Sequence, residues 1–283
     1  MNRNSEKSWL GDAQVTGAAL AFSTAGLFTG AIGADVWTML FWRGLVGGVV
    51  ILGTILWLND ASGRSIGRAG LVVAACSTIA TICFIHSLRR TTVADVTIIY
   101  ATAPFLAAAI AWLWMRQRAG RVTLVAALLA LFGVVLMMGQ AASTGNLVGN
   151  LLALAMTVLM ALMMVVIRRN DGVSMVPASC LSAFASAAIA LPLASPIPTS
   201  GSAFVLLVLF GVQFGVGLLL LTIGSRRIPA VRTALLANLE LPLAPVWVWL
   251  AFNEVPSTMT WLGGAVVCAA ILLDTFRGDA GAT

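Results

Sequence analysis

LLANLELPLAPVWVWLAFNE, Leu235 to Glu254, is an apolar segment with a carboxylate, Glu240, and two prolines, Pro242 and Pro245, near its middle. An ionised carboxylate in hydrocarbon costs about 3 kcal/mol or more, so such a group normally faces a cavity, a partner or a proton. Proline lacks a backbone N–H and releases carbonyls from the helical ladder, which is tolerated at membrane depth where the backbone is walled by protein or lines a wet space. The segment has a mate. Sliding the chain by 138 positions sets FIHSLRRTTVADVTIIYATAPFLAAAIAWLWMR, Phe84 to Arg116, over TIGSRRIPAVRTALLANLELPLAPVWVWLAFNE, Thr222 to Glu254. Ser87 meets Ser225, Arg89 meets Arg227 and Pro104 meets Pro242, and each stretch ends in a Trp-containing run closed by a charge.

Outside this pair the chain is just as apolar. Hydrophobic residues make up 60% of the 283 and charged residues 9%, and mean hydropathy is +1.01, the composition of an integral membrane protein. Ten apolar runs fall near residues 13–32, 36–58, 70–88, 93–115, 122–138, 147–167, 175–193, 204–223, 230–252 and 258–276. A spanning helix needs about 20 residues, so the runs leave only short connections and no room for a soluble domain. The first run lacks a small-residue cleavage pattern and reads as a retained span. The expected fold is all-α, with ten transmembrane helices arranged as two five-helix repeats, 13–140 and 146–276. Five is odd, so the second copy enters the membrane inverted, an arrangement typical of secondary transporters with a midplane site between the halves. Duplication for purely structural reasons is the alternative.

Charge gives the orientation. Thirteen of the 16 Lys and Arg residues fall on one side if the N-terminus is cytoplasmic, Arg64 among them; Arg89 and Arg90 lie opposite and Arg43 is within a span. Basic residues are retained in cytoplasmic loops, so both termini are expected inside. The same topology accounts for the net charge of +6 without invoking nucleic acid. Cys76, Cys83, Cys180 and Cys268 sit in apolar runs without metal-ligand spacing, and neither metal nor cofactor is expected.

The halves resemble the paired repeats of the drug/metabolite transporter superfamily, EamA type, over nearly the whole chain. The resemblance rests on Trp42-Arg43, on SLRRTTVADVTIIYATAPF with its partner GSRRIPAVRTALLANLELPLAP, and on WLAFNEVPS followed by TWLGGAVV. In detail it is most similar to the YddG-type exporters of aromatic and other amino acids. One departure stands out. Arg116 occupies a first-half position where the family often has Glu, leaving an acid only in the second half, Glu254. The resemblance implies export of neutral or aromatic amino acids across the bacterial inner membrane.

Several residues are candidates for transport. Glu240 lies about ten residues into its span, roughly 15 Å, near mid-bilayer; it is either a cavity or gating acid, or a neutral hydrogen-bonded strut. In the 138-residue register Asn238 is matched by Tyr100, the only tyrosine, and Thr102 by Glu240. Thr97, Tyr100 and Pro104 share a helix face, expected near Asn238 and Glu240. Pro104, Pro242 and Pro245 are expected helix kinks. Arg43, roughly 10 Å deep, needs a carboxylate, and Asp95 is its expected partner, with an outer-gate network including His86 or a substrate carboxylate as the other readings. His86 alone reads equally as a satisfied helix-end residue. Most tryptophans fit an interfacial belt, although Trp112 and Trp247 are candidates for the cavity wall. Gly26-x-x-x-Gly30, Gly44-x-x-x-Gly48 and Gly211-x-x-x-Gly215 permit close helix contacts and fit a monomeric bundle or a dimer.

Function classes narrow accordingly. No G-x-x-x-x-G-K-[ST] loop exists for a primary pump. One histidine, with no G-x-S-x-G or H-E-x-x-H, argues against an intramembrane enzyme. The expected protein is a secondary exporter of small amphipathic metabolites; the alternative is a drug or quaternary-cation exporter with Glu240 as counter-charge.

Overall fold

The computed structural model describes residues 3–58, 66–138, 146–195, 201–253 and 255–277. Arg64 and Glu254 lie outside them, as do residues 139 and 140 at the end of the expected first repeat. Every regular element described is helical: α1 (Arg3–Ser23), α2 (Ala25–Ala31), α3 (Val36–Leu58), α4 (Gly67–Arg90), α5 (Val93–Tyr100), α6 (Ala103–Met115), α7 (Arg121–Met138), α8 (Leu147–Arg169), α9 (Val176–Ala190), α10 (Gly201–Ser225), α11 (Ala230–Ala237), α12 (Glu240–Phe252) and α13 (Thr258–Arg277). A 3₁₀ turn, Leu191–Leu193, extends α9.

Nine spans among the described residues are long and apolar enough to cross a bilayer, with α5–α6 and α11–α12 each counting as one broken span. The remaining run, expected at 13–32, is divided between α1 and α2 at Thr24, and the start of α1 is polar. The chain is therefore an all-helical, multi-pass membrane protein.

The two broken spans share a plan. An eight-residue helix is followed by a two-residue break and a 13-residue helix, and the second helix closes on a left-handed residue, Arg116 (φ 57°) or Asn253 (φ 56°). Val93 and Ala230, like Arg116 and Asn253, are 137 positions apart, one fewer than the sequence register. At these spans the expected pairings therefore shift by one: Ala101 corresponds to Asn238, and Asn253, not Glu254, corresponds to Arg116. The offset of 137 also sets Arg89-Arg90 over Arg226-Arg227, and a left-handed cap marks one definite backbone site where similar apolar residues do not.

Local chemistry explains the breaks. Pro104 and Pro242 each sit just past the break, where their missing N–H groups cannot continue the ladder. Thr102 bridges the first gap by donating to the Ile99 carbonyl at 2.6 Å, and the Leu241 N–H bonds Asn238 O at 3.1 Å across the second. Pro245 differs: α12 runs through it without interruption.

Packing joins the two halves far more than it separates them. α3 lies against α9 and α10, α4 against α8 and α9, α7 against α13, and α1 against α10. Backbones approach where glycines face each other. A Cβ on Gly133 of α7 would stand 2.6 Å from the Gly263 carbonyl of α13, and one on Gly215 of α10 would stand 2.8 Å from the Gly47 carbonyl of α3. Small residues at such crossings let dispersion contacts accumulate where lipid offers no hydrophobic drive. Gly44 and Gly48 likewise touch α9 at Ser186 and Phe184. A Cβ on Gly26 would meet nothing within 4 Å and one on Gly30 only the Phe252 ring of α12 at 4.0 Å, so this pair makes no comparably close crossing.

Candidate functional site

The close contact of α3 with α10 sets the position of Arg43, four residues before Gly47. Its guanidinium lies 4.1 Å from the ring centroid of Phe214, 5.2 Å from Phe210 and 5.9 Å from Phe84. Arg43 is only 5% exposed, and its Nε and Nη1 have no hydrogen-bond partner. Asp95 is not its counter-ion. It closes the first turn of α5, accepting from the hydroxyls of Thr91 (3.0 Å) and Thr92 (2.8 Å) while its N–H donates to Thr92 Oγ1 (3.1 Å). Thr92 thus caps the helix through the Asp95 N–H, and the Asp95 carboxylate is held by the two threonine hydroxyls. The expected Arg43–Asp95 pairing is thus replaced by a capping role that T-T-V-A-D already encoded.

Glu240 is the first residue of α12, at the second helix break, where the positive end of the helix favours a carboxylate. The Tyr100 hydroxyl, at the end of α5, lines the same cavity wall and interacts with Glu240 electrostatically. Arg43 and Glu240 interact electrostatically but form no ion pair within 4.0 Å. Both charges line one cavity of about 220 Å³, together with Thr97, Tyr100 and Ser77. Its remaining wall is mainly apolar, from Phe22, Phe84, Phe214, Met156, Met160 and Leu218.

A second cavity of about 600 Å³ shares Gly26, Thr29, Val93, Thr97, Leu241 and Ala244 with the first. It continues to the end of the bundle marked by Gly30, Met138, Val255 and Pro256, and Pro245 lies in its wall. The opposite end, where α1 begins and α13 finishes, is packed around α11. All eight residues of α11 are buried there. Arg232 of α11 meets Asp12 of α1 at 2.8 Å and Asp274 of α13 at 3.8 Å, with Asp274 1% exposed.

Other candidates are placed elsewhere. Asn238 is fully buried and donates from Nδ2 to the Ala101 carbonyl at 3.3 Å, so it joins the two breaks without lining the cavity. Pro104 and Pro242 are buried beside the breaks. Trp112 is 48% exposed and is not among the side chains that line either cavity. Trp247 supports the wall indirectly, donating from Nε1 to Ser23 Oγ at 2.8 Å, and Ser23 lines the cavity. His86 packs edge-on against Trp37, 4.6 Å between centroids, apart from both Arg43 and Asp95. Sequence reading missed the Arg232–Asp12–Asp274 cluster, in which Arg232 counted only as a basic residue near a span end. Asp274 was its one signal, an acid inside the last apolar run.

Residues 9–139 match the model of the EamA-like transporter family. No curated protein matches the sequence. The crystal structure of one other protein superposes with a TM-score of 0.83 over 99% of both chains at 20% identity, a likeness of fold.

Proposed function

We propose that this chain is a secondary transporter of the drug/metabolite type that exports small amphipathic metabolites, foremost neutral and aromatic amino acids, by alternating access. The observation that carries the reading is the cavity at the two facing helix breaks, apolar but for one acid, one arginine, one tyrosine and a few hydroxyls. Discontinuous spans meeting at mid-membrane are how carriers expose polar groups to a substrate. The family match over residues 9–139 supports the same class.

In this reading α1 with α2 forms the tenth span, both termini are cytoplasmic in a bacterial inner membrane, and the halves 13–140 and 146–276 are inverted repeats. The recurring plan of the broken spans and the contact of Asn238 with Ala101, its own repeat mate, support a pseudo-twofold axis at the breaks. The conformation described then opens outward. The YddG-like branch is favoured by three Phe and two Met side chains in the wall, suited to a side chain such as that of phenylalanine or methionine. Cation export through Glu240 fits less well, because the Arg43 guanidinium already lies over the Phe84 and Phe214 rings that a cation would need.

The test is counterflow of labelled phenylalanine, leucine and methionine into proteoliposomes preloaded with the same amino acids. Saturable uptake in excess of protein-free vesicles is expected. Absence of protein-dependent flux for every amino acid overturns the reading.

A further inference from the structure

Resting on the transporter reading of this cavity, we infer that Arg43 and Glu240 form a split zwitterion site: Arg43 holds the substrate carboxylate and Glu240 its ammonium group. The inference starts from what each charge lacks. Arg43 is nine-tenths buried, always charged, and carries N–H groups with no acceptor. The rings of Phe84, Phe210 and Phe214 attract its charge through their faces, yet accept none of the in-plane N–H groups. Asp95 is committed to its cap, and Glu240 is the only acid in the cavity wall among the described residues. A planar fork of donors in an apolar pocket matches a carboxylate above other anions of one charge.

Glu240 is the complement. It stands at the wall beside Tyr100, and a carboxylate offers about four lone-pair sites to donors. The two charges share the cavity without closing on each other within 4.0 Å. A pair meant only for structure gains by contact; a pair held apart across a cavity leaves room for a molecule with both charges on neighbouring atoms. The apolar wall on the α8 and α10 side, Met156, Met160, Phe214 and Leu218, then takes the side chain. The ligand class is an α-amino acid with an uncharged, apolar side chain.

Three probes dissect the site in detergent-purified full-length protein by calorimetry and in proteoliposomes by flux: L-phenylalanine, phenethylamine without the carboxylate, and 3-phenylpropionate without the ammonium group. Wild type is expected to bind phenylalanine at least about tenfold more tightly than either fragment. Arg43→Gln lowers affinity for phenylalanine at least about tenfold more than for phenethylamine, and Glu240→Gln lowers it at least about tenfold more than for 3-phenylpropionate. Arg43→Lys, which keeps the charge and loses the fork, falls between. Monodispersity on size exclusion and an unchanged melting temperature identify folded variants. Where Arg43→Gln fails this check, the wild-type ranking of the three probes and the folded Glu240→Gln variant decide.

Equal losses for phenylalanine and phenethylamine in Arg43→Gln, or wild-type phenethylamine binding as tight as phenylalanine, overturn the split site while leaving a transporter in place. Absence of wild-type flux for all three probes and for every amino acid overturns the transporter reading itself.

Discussion

Gly26 is the residue on which the access route can be tested most directly. It lines both cavities, and nothing lies within 4 Å of the Cβ it lacks. Gly26→Leu therefore puts a branched side chain into the passage without a steric conflict inside the bundle. Flux through proteoliposomes is expected to fall at least tenfold, while the melting temperature in detergent stays within about 2 °C. Retained flux would place the route elsewhere. Asn238 makes the opposite prediction. It is fully buried and supplies the hydrogen bond to the Ala101 carbonyl. Asn238→Leu leaves that carbonyl without its side-chain partner, at a cost of about 1–3 kcal/mol, and a lower melting temperature is expected even before any effect on flux is measured.

At the scale of elements, the fold depends on helices touching through their backbones. α7 and α13 meet at Gly133 and Gly263, where an added Cβ on Gly133 would lie 2.6 Å from the opposing carbonyl. The opposing Gly263 carbonyl is backbone and cannot rotate away, so Gly133→Val forces the helices apart. Overpacking of this kind costs about 1–3 kcal/mol or more. Gly53→Ala on α3 is the control, since nothing lies within 4 Å of its Cβ and alanine favours a helix by roughly 1 kcal/mol over glycine. Thermal unfolding in detergent is expected to rank Gly53→Ala at or above wild type and Gly133→Val clearly below.

For the whole molecule, the two ends of the bundle differ: one carries the larger cavity, the other is packed around α11. The packed end is held by the α11 cation between α1 and α13, with Arg232 5% and Asp274 1% exposed. Removing one member of a buried charged pair costs about 3–5 kcal/mol, because the other charge remains buried, whereas replacing both by apolar residues can be neutral. Arg232→Met is therefore expected to lower the melting temperature markedly, and Arg232→Met/Asp274→Leu to recover at least half of the loss. Failure of the double variant to recover would show that Arg232 acts mainly through Asp12 and its other contacts.

The membrane class was written in composition, because burying helices in lipid requires apolar residues along nearly their whole length. The broken spans were written in Pro104, Pro242 and the polar residues beside them, since a missing N–H acts locally. Glu240 and Arg43 were visible as charges in apolar surroundings, and the capping role of Asp95 was encoded in the threonines before it. What tertiary structure alone decided is which charges face one another and which register relates the broken spans. Arg43 turns to three rings and a cavity where a nearby acid would have served, because the Gly47 contact presses α3 onto α10. Trp112 lines neither cavity and Asn238 bridges the breaks instead of lining one. Helical spacing in an apolar sequence assigns a residue to a face; only the packing of the neighbouring helices, through small residues scattered along all of them, decides whether that face meets lipid, another helix or the cavity.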